Sequence, residues 1–236
     1  MERDPEKEVR YEMQVRWFGH SAFEVTDGKT TLLIDPFITG NPVCPVKADD
    51  LNPQYILVTH FHGDHVGDAV PIAKRTGATV ITTYEGGSEL AAQGVKVHGM
   101  ALGGKHKFDF GMVRVTMAFH GYGPQGGHAA GFVIHIGGKR IYHAGDTCLF
   151  SDMKLLNGII EEAGIDLALL PVGDNFTMGP EEAAIATEWI GPKTVIPMHF
   201  GTFPVLTGDV DTFARRVSAA GKTRVVVLKP GDRHEF

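Results

Sequence analysis

Cysteine is nearly absent from this chain of 236 residues, and the two present, Cys44 and Cys148, stand far apart without a C-x-x-C pair. Neither a disulfide framework nor a sulfur-ligated zinc site is indicated. Cys148, close behind Asp146 and Thr147, reads as a small buried side chain. Long hydrophobic runs are lacking too. No apolar stretch reaches the roughly 18 residues of a membrane helix, and no signal-peptide pattern is found at the heavily charged N-terminus. Basic residues form no long run, and acidic side chains outnumber them, 28 to 22, for a net charge of −6. That balance disfavours nucleic-acid binding through a basic face. Low-complexity segments are missing as well. A soluble cytoplasmic protein with a small-molecule partner is expected, with a homo-oligomer left open.

What is present fits one large α/β domain. Hydrophobic residues make up 43% of the chain, enough for a substantial core, and 30 glycines suit many sharp strand-to-loop turns. Residues 1–12 are mostly charged and aperiodic, so they read as an extension to a domain spanning 13–236, with Met13 a candidate start. Strands are expected at Gln14–Phe18, Ala22–Thr26 and Thr30–Ile34, with a tight turn at Asp27-Gly28. A helix over Val66–Thr76, touched by Pro71 only in its early turns, precedes strands at Val80–Thr83 and Val95–His98 that flank a Gly-rich helix. The second half repeats the plan, with strands at Met112–Phe119, Gly131–Ile136, Lys139–Tyr142, Leu167–Val172, Val195–Met198 and Arg224–Leu228. Helices are expected around Met153–Ala163, at Pro180–Ile190 and at Val210–Ala220. Two halves of similar order imply two sheets packed face to face with helices outside.

The chemistry concentrates in Thr59-His60-Phe61-His62-Gly63-Asp64-His65, which follows the apolar strand Tyr55–Val58. Three imidazoles and a carboxylate in one short loop exceed what a tetrahedral ion usually takes from a single segment, so two adjacent metals are the natural reading. Further candidates each end a strand-like run: His120, Asp146 and His199. Loops at one edge of a sheet converge, which lets these meet the first cluster. One consistent assignment places His60, His62 and His120 on one ion and Asp64, His65 and His199 on the other. Asp146 would bridge them, although a helix N-cap is its ordinary alternative. His20 and His143 read as orienting neighbours or substrate contacts, set against simple structural hydrogen bonds. His128, in a Gly-rich segment, is a candidate for the entrance. His135 is expected on an outer face, and His98, His106 and His234 on the surface.

The order T-H-x-H-x-D-H, a lone His, G-D-T and a final His resembles the metallo-β-lactamase superfamily over nearly the whole chain. Phe18–Phe23, Leu33–Phe37, Tyr142–Thr147, Gly173–Gly179 and Pro197–Phe200 are similar to a branch of metal-dependent hydrolases. That branch is itself similar to ascorbate-6-phosphate lactonase and, more distantly, to a phospholipase D acting on N-acyl phosphatidylethanolamine. The resemblance implies an αββα sandwich with metals at one edge between the sheets.

The expected activity is hydrolysis by a metal-bridging hydroxide, with Asp64 holding the nucleophile or returning a proton to the leaving group. Two divalent ions set against two carboxylates and one hydroxide leave a net positive charge. Anionic ester-like substrates, phosphodiesters or lactones, would suit it. Zinc is the default metal, and manganese or nickel also fits an all-nitrogen-and-oxygen site. A β-lactamase proper is disfavoured by an Asp at position 146. From a different class, a metal-binding regulator or scaffold with little turnover is the competing reading.

Overall fold

The computed structural model describes residues 13–124 and 126–236, so the expected charged extension over 1–12 lies outside the described residues. Two seven-stranded sheets form. The first contains β1 (Gln14–Trp17), β2 (Phe23–Thr26), β3 (Thr31–Ile34), β4 (Tyr55–Leu57), β5 (Thr79–Thr83) and β6 (Lys96–Met100). The second runs through β7 (Lys105–Phe108), β8 (Gly111–Met117), β9 (Ala130–Ile136), β10 (Lys139–His143), β11 (Leu167–Pro171), β12 (Thr194–Met198) and β13 (Arg224–Val225). A final strand, β14 (Arg233–Glu235), returns to the first sheet and pairs antiparallel with β1. In each sheet an antiparallel meander leads into a parallel set, with the change at β3 and at β10.

Period-two alternation explains why the sheets stack. Leu32 and Ile34 point into the inter-sheet core with Trp17, Phe23, Phe132, Ile134 and Leu169. Leu33 points the other way, toward Ile56 and Ile72 beneath the helices. Both faces are therefore buried, which is why these strands are continuously apolar. Each such side chain contributes about 1.5–3 kcal/mol. On the first sheet lie α1 (Gly63–Val66), α2 (Ala69–Thr76) and α3 (Tyr84–Ala92). On the second, α4 (Pro180–Ile190) and α5 (Val210–Ala220) pack over Tyr142, Leu170 and Val195. The result is the four-layer αββα sandwich expected. Among the described residues no helix is long and apolar enough to cross a membrane.

Several local expectations are corrected. The helix expected over Val66–Thr76 is broken at Gly67, whose φ of +37° ends α1. Pro71 sits harmlessly in the first turn of α2. The helix expected around Met153–Ala163 is only a 3₁₀ turn, Ser151–Leu156, because Asn157-Gly158 stops it with Gly158 at φ +75°. The strand expected over Arg224–Leu228 shortens to Arg224–Val225, since Pro197 in β12 has no N–H to offer a longer partner. Cys148 is exposed rather than buried, with its backbone N–H bonded to the Phe119 carbonyl. His135 does face outward from the sheet but is not free, since it bonds Glu161 at 2.7 Å. Two short polar edge strands, β7 and β14, were not expected.

Candidate metal centre

The seven expected ligands, together with His20 and Asp35, stand just after the C-terminal ends of strands. His20 follows β1, Asp35 β3, the His60–His65 loop β4, His120 β8, Asp146 β10 and His199 β12. These strands run in one sense, so their ends share one edge between the sheets. Backbone bonds cross the seam there. The N–H of Phe61 donates to the Tyr122 carbonyl at 2.7 Å, that of Ala130 to Thr59 at 3.1 Å and that of His199 to His20 at 2.9 Å.

Three groups have ligating atoms within 4.8 Å of one another: His60, His62 and His120; His20, Asp64, His65 and His199; and His60, His65 and Asp146. The first matches the expected first site, and the second contains the expected second site plus His20. Asp146 stands between them, its Oδ2 lying 2.9 Å from His199 Nε2, 3.3 Å from His65 Nε2 and 3.6 Å from His120 Nε2. All seven expected ligands are thus brought together.

Asp35, unassigned from the sequence, orients the cluster from behind. Its carboxylate accepts from the Thr59 N–H at 2.8 Å, the Thr59 hydroxyl at 2.7 Å and His65 Nδ1 at 2.8 Å. Burial would raise this carboxyl, but His65 beside it overrides that and holds it below the usual range. The Thr59 hydroxyl, its proton committed to Asp35, is left to accept from His60 Nδ1 at 3.0 Å. Both imidazoles therefore turn Nε2 toward the centre. A carboxylate that fixes imidazole tautomers in this way is the usual support behind a metal-binding histidine.

The donor set fits cations. His60 Nε2 lies 3.0 Å from His62 Nδ1, and His120 Nε2 lies 3.3 Å from the same atom. Lone pairs cannot face one another at such distances without a proton or a cation between them. Asp146 Oδ1 is buried without a hydrogen-bond partner, and His65 Nε2 meets only Asp146 Oδ2, at 3.3 Å. Leaving them so is costly unless something binds there. Burial would lower His65, but Asp146 and Asp35 on either side raise it well above its ordinary value. His60 goes the other way, lowered by burial and by His65.

His20 bonds Asp64 Oδ2 at 3.0 Å through Nε2 and Thr202 Oγ1 at 3.1 Å through Nδ1. Its ring is 4.0 Å from that of His199, with Phe37 and Phe203 edge-on at 5.8 and 5.5 Å. Burial lowers its pKa to about 4, with Asp64 opposing. His143 takes a structural place, bonding the Ser21 carbonyl at 3.1 Å through Nε2 and accepting from the Gly145 N–H at Nδ1. His128 is exposed and shares a cavity wall with His120 and Phe119. His106 is exposed as expected, whereas His98 and His234 are half-buried, and the His98 ring lies 4.1 Å from that of His106.

An αββα sandwich with a His/Asp cluster at one edge between its sheets has the metallo-β-lactamase fold. The family profile described as Beta-lactamase superfamily domain matches residues 30–200. The chain belongs to this superfamily and, within it, to the UPF0173 family of metal-dependent hydrolases. A UPF0173 metal-dependent hydrolase of Symbiobacterium thermophilum is 74% identical over 94% of this chain and 99% of its own length. One from Heliobacterium modesticaldum is 52% identical over 93% and 96%. Among solved structures, a metallo hydrolase of Ignicoccus hospitalis superposes with a TM-score of 0.88 at 36% identity, covering 95% of this chain and 98% of that one.

Proposed function

We propose that this protein is a dinuclear metal-dependent hydrolase acting on an anionic ester-like small molecule, a phosphodiester or a lactone. The observation that carries this reading is the Asp35–Thr59 relay, which commits His60 and His65 to turn Nε2 toward the Asp146 carboxylate and the other imidazoles. His60, His62 and His120 would hold one ion, Asp64, His65 and His199 the other, and Asp146 both. Zinc suits this set best, with manganese or nickel also accommodated. Bound there, two such ions would supply Lewis acidity and would lower the pKa of a coordinated water.

The protein's own groups do the rest. Asp64 is half-buried, its side chain 31% accessible. Burial would raise its carboxyl, but the hydrogen bond from His20 and the nearby His65 hold it well below the usual range, so it is ionised and accepts a proton only transiently. It is therefore placed to orient the nucleophile through one oxygen while His20 fixes the other, and to hand a proton to the leaving group. Phe37 and Phe203 shield His20 on the inner side.

Dialysis against a chelator followed by zinc, manganese or nickel, with bis(p-nitrophenyl) phosphate and a lactone panel as substrates, tests this reading. Turnover is expected to vanish and return with metal. A scaffold would bind metal without regaining turnover.

A further inference from the structure

Two cavities meet at Leu102 and Met117. One, of about 250 Å³, is walled by Phe119, His120 and His128 and so abuts the metal centre. The other, of about 310 Å³, lies between the outer face of the second sheet and the segment from Phe150 to Ile160. Its volume is at the lower end of the ~300–1,000 Å³ typical of small-molecule pockets. The lining is largely apolar, with Met153, Leu155, Leu156 and Ile160 beside Tyr142. Its one guanidinium, Arg114, is already engaged by Glu161 at 3.0 Å.

The cover is incomplete for a definite reason. Where an amphipathic helix would have closed over the sheet, Gly158 stops the 3₁₀ turn, leaving Leu155, Ile159 and Ile160 exposed. At the floor, Tyr142 is wholly buried. Its hydroxyl lies against that of Thr116 beneath the apolar lining.

We propose that this trough receives the apolar arm of the substrate, an alkyl or acyl chain, while the hydrolysable anionic group lies at the His/Asp centre. The placement of the anionic group rests on the hydrolase reading, whereas the trough stands on its own geometry. Without an accessible free cation in the inner cavity, a second anionic group is disfavoured there. Met117 and Leu102, both partly exposed, are the threshold the chain would cross.

The test is a calorimetric series of linear alkylphosphonates, ethyl to decyl, against zinc-loaded protein. Kd is expected to tighten about two- to fourfold per methylene until the trough is filled, following the transfer free energy of a buried methylene. Leu102→Asp and Met117→Asp, each confirmed folded by circular dichroism, should each cut the decyl-to-ethyl affinity ratio at least tenfold. A flat series in the parent protein, or a slope that survives both aspartates, overturns the trough as the chain site. Because phosphonate binding needs no turnover, an intact slope beside absent metal-restored hydrolysis would reject the hydrolase reading alone.

Discussion

Asp35 touches no other candidate ligand than His65, yet it sets which nitrogen of both His60 and His65 faces the centre. Asp35→Asn keeps the shape but offers an N–H where an acceptor is needed. Metal affinity is expected to fall about 10–100-fold with the fold retained, as read by competition with a chromogenic chelator. Asp146→Asn should do more, since that carboxylate lies within 3.6 Å of imidazoles from both groups. Metal content is expected to drop toward one ion or fewer per chain, and activity to fall at least as far as in His199→Ala. Exposed His106→Ala is the proper control, because His135 is tied to buried Glu161. Retention of two ions by Asp146→Asn would remove it as a bridge. The histidines of the motif, and His20 as an orienting neighbour, were legible in the sequence, whereas Asp35 was not. The reason is conformational: His20, Asp35 and His199 all adopt positive φ, +54°, +44° and +58°. Nothing in a side chain's identity announces that rare backbone state, which here turns each strand end sharply toward the seam.

Among the elements, α4 and α5 were readable to the residue because their punctuation is explicit. Pro180 opens α4, Asp209 caps α5, and Gly191 and Gly221 end them in the left-handed conformation. The β7 and β14 edges, KHKF and RHE, escaped notice because short polar strands carry no alternation. Gly67 was overlooked as the break between α1 and α2, although it aims the loop bearing Asp64 and His65. A Cβ there would come within 2.8 Å of Phe37 Cα and collide with the Pro36 carbonyl. Gly67→Ala is therefore expected to destabilise the protein by about 1–3 kcal/mol, visible as a lowered denaturation midpoint, and to weaken metal binding in parallel. Unchanged stability would mean that the loop can relax away from Pro36.

For the molecule as a whole, the metal-free centre should make stability depend on pH. Burial lowers His20 from its ordinary 6.5 to about 4, and His60, His120 and His143 are lowered as well. For each of these the unfolded chain takes up protons first as pH falls below 6.5, so folding loses stability, and for His20 the loss runs down to about 4. His65, raised by Asp146 and Asp35, acts in the opposite sense, stabilising below its unfolded value and losing that contribution as pH rises through its folded one. Four against one, the metal-free protein is expected to lose stability on acidification over that window, and His20→Gln should flatten the curve in urea titrations. A midpoint that rises on acidification would contradict this assignment of neutral histidines. The site's position at the seam carries a separate consequence. His60, His62, Asp64 and His65 hang from one sheet and His120, Asp146 and His199 from the other, so neither sheet holds a complete set. Bound ions would then be reversible rivets between two half-molecules, with a strength set by free metal concentration rather than by covalent chemistry. Under metal starvation the seam should become the weakest line in the protein, and proteolysis would begin by parting the sheets.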